Sequence, residues 1–341
     1  MTTLQNRRLL LSSRPVGLAT RDNFHMVEEP VPALQPGEVL VRNLYLSIDP
    51  TNRIWMSDME QYMPPAEVGE TMRGIGIGQV VESKDPAYSP GDFVQGFVGW
   101  QDYWVSQPGP FAAYKLPKEV PVPLTAWLGP LYITGFTAYF GLLDIARPKA
   151  GETVVVSAAA GATGSVVGQI AKIKGCRAVG IAGSDEKCAW LTGELGFDAA
   201  VNYKKPGFRD ALRAACPGGV DVNFENVGGK ILDDVMSLMN LRGRVVVCGL
   251  ISSYNATDPV PGPYNFGLTL MKRLRLEGLI VTDYIERWPE AATQIAGWMT
   301  EGRIKTRDTV VDGLEKAPDA LNMLFTGDNT GKLYVKVADP A

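Results

Sequence analysis

The chain has 341 residues, and 33 Lys+Arg against 37 Asp+Glu give a formal net charge of −4. That balance excludes the basic excess with which a protein meets nucleic acid or an anionic membrane, and the length predicts two domains, each with its own core. One His (His25) and four Cys (Cys176, Cys188, Cys216, Cys248, with no CxxC) leave no HExxH pair, multi-His cage or disulfide framework, which suits a reducing compartment.

Residues 1–11 carry Asn6, Arg7 and Arg8 with no long apolar run behind them, so no targeting segment is expected and the location is read as cytoplasmic. Most of the 24 prolines fall before residue 131. Proline is poorly tolerated inside helices and central strands, so the first third should be short strands joined by turns. Glu38–Leu46 alternates like a half-buried strand, with Pro36-Gly37 marking a turn before it. Gly76–Glu82 reads as a second strand, and Ser89-Pro90-Gly91-Asp92 turns the chain into Phe93–Phe97. Short strands at this spacing predict a small barrel.

After about residue 125 the rhythm changes. Thr153–Ser157 is a continuous apolar run, as in a strand buried on both faces. The charge-free stretch from Thr153 to Ala171 is broken by Gly161, Gly164 and Gly168, so it reads as strand, turn and helix, not as a membrane span. Ser165–Lys174 is helical, Arg177–Ala182 is a second strand, and Asp185–Leu195 is a second helix with Ser184 as its N-cap. Strands follow at 199–202, 220–225, 243–248 and 275–281, with a helix over 230–239. Alternation of this kind predicts an α/β domain with a doubly wound parallel sheet. A last strand, Gly331–Val337, stands where it could rejoin the first domain.

Ala158–Gly168, AAAGATGSVVG, carries the strongest local chemistry. It follows a buried strand and opens a helix, the context a dinucleotide site requires. In a GxGxxG frame its key positions are Ala159, Gly161 and Gly164. Gly161 lets the backbone approach a pyrophosphate, and Gly164 lets the helix pack close to the sheet. Selectivity for NAD would place an acid about 20 residues on, against the ribose 2′-hydroxyl. That neighbourhood reads Ile181-Ala182-Gly183-Ser184, with Lys187 following, so NADP is favoured. Asn226 and Tyr254 follow the ends of later strands, where ligands bind in such sheets, and are candidates for the ribose and nicotinamide end. Cys248 reads as a small buried side chain, not a nucleophile.

The chain resembles the zinc-independent medium-chain dehydrogenase/reductases. Within them it is similar to the NADPH-dependent alkenal/one oxidoreductases, a group that includes prostaglandin reductases, plant double-bond reductases and bacterial curcumin reductases. The segments that carry the resemblance span nearly the whole chain: NRRLLLSSRP, YLSIDP, GDFVQGFVGWQDY, GFTAYFGLLDI, AGSDEKC, ENVGGK, CGLISSYNAT, GLEKAPDAL and GDNTGK, together with the glycine turn. The resemblance implies a GroES-like β-barrel over 1–126, a Rossmann NADP-binding domain over 127–307 and a return to the barrel over 308–341.

It also implies cofactor contacts at Gly161, Ala162, Thr163 and Gly164 for the pyrophosphate, and at Gly183, Lys187 and Tyr203 on the 2′-phosphate side. Asn226, Cys248, Gly249, Ile251, Ser252, Ser253, Tyr254, Leu279, Ile280, Val281 and Asn329 complete the set. Relatives often read DPYMR where this chain has Asp49-Pro50-Thr51-Asn52-Arg53, which should alter pocket shape. Asn52, Tyr62, Trp100 and Tyr264 are candidate pocket residues, each with packing or turn structure as the alternative. No zinc is expected, because no Cys precedes residue 176.

The expected reaction is NADPH-dependent reduction of the C=C bond of an enone or enal. Hydride goes to the β-carbon, Tyr254 stabilises the enolate beside the cofactor ribose, and water protonates the α-carbon. A quinone reductase of the same superfamily and a non-catalytic NADPH-binding protein are the alternatives. A homodimer through the open edge of the Rossmann sheet is expected.

Overall fold

The computed structural model describes residues 4–109, 112–117 and 121–341. Met1, where the first expected domain begins, lies outside them. The chain divides into two compact units: residues 1–128 with 308–329 and 333–341, and residues 129–307 with 330–332. The strands are β1 (Gln5–Leu11), β2 (Phe24–Pro30), β3 (Val39–Ile48), β4 (Ile75–Ser83), β5 (Phe93–Gly96), β6 (Tyr103–Ser106), β7 (Tyr114–Lys115) and β8 (Thr153–Val156). Then come β9 (Arg177–Ala182), β10 (Ala199–Asn202), β11 (Val220–Glu225), β12 (Met239–Val247), β13 (Arg275–Gly278), β14 (Asp308–Asp312) and β15 (Lys332–Lys336).

In the first unit β1 and β2 pair with each other, and the other strands run β14-β15-β3-β4-β5-β7 with β6 also on β3. One half of β3 holds β6, with Val39 opposite Ser106, and the other half holds β15, with Ile48 opposite Leu333. The last strand therefore returns to the first unit. Two bulges in the β3–β4 ladder bend it, as a barrel-like sheet requires. Valines 39, 41, 80 and 94 fill part of its core. The turn into β5 has Pro90 in second place and Gly91 at φ 92 in third, and Asp92 N donates to Ser89 O at 3.0 Å. That is the residue pattern of a type II turn, where the third residue needs a positive φ.

The second unit is a six-stranded parallel sheet in the order β10-β9-β8-β11-β12-β13. Its first strand in sequence, β8, is central and buried at every position, as its apolar run demands. The strand order reverses between β8 and β11, so the ligand crevice of such a sheet opens there. Val155, Val179, Ile181, Leu212, Val235, Met236 and Val245 pack one core cluster. The sixth strand ends at Gly278, short of the expected Val281; Leu279 N makes a last ladder bond to Val247 O at 3.1 Å, and a 3-10 turn opens at Val281. The helix after the glycine turn starts at Ala162, three residues before the expected Ser165, because Gly161 is its extended N-cap. Helices Ile133–Phe140, Phe208–Ala215 and Trp288–Thr300 stand outside the expected elements. Among the described residues no helix is long and apolar enough to cross a membrane.

Candidate functional site

The glycine turn lies at the carboxyl end of β8, on the sheet's reversal point. Ala158 sits at φ 47, in the left-handed region where a side chain is strained. Gly161 N donates to Ala158 O at 2.9 Å and closes the turn. A Cβ on Gly164 would stand 2.5 Å from Ala158 O, and one on Gly168 would stand 1.8 Å from the Phe197 ring. Glycine at these two positions is what lets helix Ala162–Ile173 approach so closely.

No side chain caps that helix. Its first-turn amides, at Ala162, Thr163 and Gly164, are thus set for an anion, with the helix dipole behind them. Helix Asp185–Gly193 differs, because Ser184 Oγ accepts from Lys187 N at 3.2 Å. From the far end of the chain, Gly331 bridges Gly161 in parallel and its N–H donates to Ala160 O at 2.8 Å. Gly331 adopts φ 70, and a Cβ there would meet Arg307 O at 1.8 Å.

At the end of β9 the chain reads Gly183-Ser184, with no acid. The first acid, Asp185, receives Asn202 Nδ2 at 3.0 Å and Lys205 Nζ at 2.6 Å, and these partners hold its carboxyl below the usual range. A Cβ on Gly183 would stand 3.2 Å from the Tyr203 ring and 3.4 Å from Lys204 Cε. Lys187 lies half-buried in the first turn of its helix.

The end of β11 is organised by Glu225, which is fully buried. Its Oε1 accepts from Val227 N at 2.7 Å, Gly228 N at 2.8 Å and Ser157 Oγ at 2.8 Å, and its Oε2 accepts from Asn223 Nδ2 at 2.9 Å. Burial pushes the Glu225 carboxyl up, against the pull of these donors. Ser157 also fixes Asn226, accepting its N–H on Oγ at 2.7 Å and its Nδ2 on the carbonyl at 2.7 Å. The loop after β12 is tied to the same scaffold. Cys248 N and Gly249 N bond Glu225 O, Ile251 N bonds Asn226 O, and Ser252 N bonds Val227 O. Burial and the neighbouring Glu225 push the Cys248 thiol up to about 12, which suits an inert packing role. The Tyr254 hydroxyl oxygen accepts from Leu250 N at 3.0 Å.

The second unit therefore brings together 161–164, Asn226 and the loop 248–254 around the ends of β8, β11 and β12, with Gly183, Lys187 and Tyr203 around the end of β9. Leu279 and Val281 are buried, with Ile280 between them more exposed. Tyr264 is 86% exposed and lines no enclosed space. Asn329 is buried in the first unit.

Two of the candidate pocket residues of the first unit lie in its interior. Trp100 is fully buried and stacks on Phe24 with centroids 5.4 Å apart, so it is core. Asn52 is 1% exposed, and its Oδ1 accepts from Asp49 N at 2.8 Å, which holds the backbone turn at this motif. The departure at this motif acts through Thr51, whose hydroxyl bonds Tyr62, while Trp55 Nε1 donates to the same Tyr62 hydroxyl at 3.0 Å. Burial pushes Tyr62 above the ordinary tyrosine range.

Glu225, Lys204, Ala158 and Gly331 were not among the expected site residues. The acid before Asn226 and the lysine after Tyr203 were visible signals, since each adjoins a candidate. Ala158 and Gly331 stood inside quoted motifs, but nothing local marked the left-handed turn of the one or the long-range bridge of the other. Among the described residues no group of three or more His, Cys, Asp or Glu side chains is placed to hold a metal ion.

Residues 7–113 match the family described as the N-terminal domain of oxidoreductase, and residues 162–297 match the family described as zinc-binding dehydrogenase. The chain is 46% identical over 340 residues to the NADPH-dependent curcumin reductase of Escherichia coli (strain K12), covering 98% of this chain and 97% of that protein. It is 39% identical over 340 residues to the 2-alkenal reductase (NADP(+)-dependent) of Nicotiana tabacum, covering 98% of each. The crystal structure of CurA in complex with NADPH from Vibrio vulnificus superimposes with a TM-score of 0.92 at 42% identity, covering 98% of this chain and all of that one. Strand order, glycine turn and full-length similarity agree, and the chain belongs to the medium-chain dehydrogenase/reductase family.

Proposed function

We propose that this protein reduces the C=C bond of α,β-unsaturated ketones or aldehydes with NADPH. The observation that carries the cofactor is the uncapped start of helix Ala162–Ile173 combined with an acid-free end of β9. The similarity to curcumin and 2-alkenal reductases carries the substrate class. The residues present fit the cofactor. Gly161–Gly164 would hold its pyrophosphate, Gly183, Lys187 and Tyr203 its 2′-phosphate side, and Asn226 with the loop 248–254 its nicotinamide half. Bound there, NADPH supplies the hydride that adds to the substrate's β-carbon.

Tyr254 donates to the substrate carbonyl oxygen, where the negative charge of the enolate develops. The Leu250 N–H directed at the phenol oxygen polarises that O–H and strengthens it as a donor. Water gives the α-carbon its proton, since the second unit contains no histidine. The test is NADPH consumption, followed by its absorbance, with an enone and a quinone side by side. Turnover of the enone well above the quinone is expected. The reverse order makes this a quinone reductase, and binding without turnover of either makes it a non-catalytic NADPH protein.

A second copy is the proposed partner, paired along β13. Among the described residues β13 bonds only β12, which leaves an open edge. Leu270 and Met271 nearby are 74% and 67% exposed. Size-exclusion chromatography with light scattering should give twice the monomer mass of 36.9 kDa, and monomer mass refutes the pairing.

A further inference from the structure

We infer that Lys204 is a specificity residue for NADPH over NADH, an inference that rests on the cofactor reading above. Lys204 lies in the turn after β10. Lys204 N donates to Asn202 Oδ1 at 3.0 Å and Lys205 N to Asn202 O at 3.2 Å, so Asn202 folds the segment 202–205 back on itself. Tyr203 N donates to Ala182 O at 3.0 Å and ties the turn to the end of β9. This places the Tyr203 ring, the Tyr203 hydroxyl and Lys204 Cε at 3.2, 3.3 and 3.4 Å from the point where a Cβ of residue 183 would stand. Residue 183 is glycine, so the Tyr203 hydroxyl and the lysine stem can pack directly against the backbone at the end of β9.

The two lysines of this turn have different surroundings. Lys205 is in an ion pair with Asp185 at 2.6 Å, and with Asn202 it ties up the first of the two carboxylates, Asp185 and Glu186, that begin the neighbouring helix. Lys204 has no carboxylate partner among the described residues, and its stem runs beside Gly183. A ribose 2′-hydroxyl at the end of β9 offers nothing to an ammonium that water does not. A 2′-phosphate offers about two negative charges and three acceptor oxygens, and a charge-assisted bond is about twice as strong as a neutral one. The cradle thus has a hydroxyl donor, a cation and a neutralised acid, which is the chemistry of a phosphate monoester site.

The experiment is calorimetric titration of the intact protein with NADPH, NADH and 2′,5′-ADP. Lys204→Ala should raise the Kd for NADPH and for 2′,5′-ADP by about tenfold or more, while the Kd for NADH stays within about twofold. Lys204→Arg, which keeps the charge, should retain most of the NADPH affinity. Raising the salt concentration should narrow the NADPH/NADH gap in the unmodified protein more than in Lys204→Ala. If the unmodified protein prefers NADPH and Lys204→Ala leaves that preference intact, the role of Lys204 is refuted and the cofactor reading stands. If the unmodified protein shows no preference, the cofactor reading falls and the inference falls with it.

Discussion

Tyr254→Phe should lower turnover of an enone by about 100- to 1000-fold and leave NADPH affinity nearly unchanged. Loss of one donor to a developing oxyanion costs about 2.7–4 kcal/mol in the transition state, which sets that range. The substitution removes the hydroxyl and keeps the ring. It also removes the acceptor of Leu250 N, but Leu250 is exposed, so water replaces the phenol there. The neighbouring loop keeps its course because Cys248 N, Gly249 N, Ile251 N and Ser252 N bond the backbone of 225–227. Measuring kcat together with the Kd for NADPH separates the two roles. Unchanged turnover with several enones removes Tyr254 from the mechanism, and a large loss of NADPH affinity makes it a cofactor-binding residue.

Glu225→Ala should destabilise the protein by about 3–5 kcal/mol in denaturant unfolding and weaken NADPH binding at the same time. The alanine takes the acceptor from four donors, Val227 N, Gly228 N, Ser157 Oγ and Asn223 Nδ2, of which only Ser157 Oγ keeps a second, longer bond, to Phe224 O at 3.5 Å. Asn226 and the loop 248–252 hang on that scaffold, so the cofactor site loosens with the fold. Glu225→Gln should cost less than about 1 kcal/mol. Its oxygen keeps the three donors on one side, and its amide N–H meets Asn223, whose buried Oδ1 lacks a partner and accepts after a half turn of the amide.

The pH dependence separates the two residues further. Burial raises the Glu225 carboxyl, so the folded chain keeps that proton to higher pH than the unfolded chain does. Its contribution to stability is therefore complete below the unfolded carboxyl's range and lost as pH rises through the folded value. Glutamine has no proton to lose, so the variant should fall less across that window. An equal cost for Gln and Ala would mean that the carboxyl itself is required.

What was legible in the sequence was periodic or local. The buried run of β8, the glycine turn and the alternation that follows specify a doubly wound sheet, because each signal spans a few consecutive residues. The second domain's phosphate side was legible as an absence, the missing acid after Ile181. Contacts across long separations were not legible. Glu225 gains its role from Ser157, 68 positions away, and no local pattern marks a strand-end acid as a scaffold. Trp100 and Asn52 were candidates by residue type, yet both turn inward, and burial of a single side chain is decided by tertiary packing. The unexpected helices are similar cases. Phe208–Ala215 buries only Leu212, and four of its eight residues are Phe or Ala that stay at least partly exposed.

The bridge between Gly161 and Gly331 also sets an order of events during synthesis. A ribosome delivers residues 129–307 before residue 331, and with them every strand of the parallel sheet. The glycine turn then lacks its partner until residue 331 emerges, near the very end of the chain. Nascent protein can thus hold a complete sheet with an unfinished nucleotide turn. A chain cut short before residue 331 would keep the Gly161 N–H to Ala158 O bond that closes the turn and lose the Gly331 N–H to Ala160 O bond that braces it.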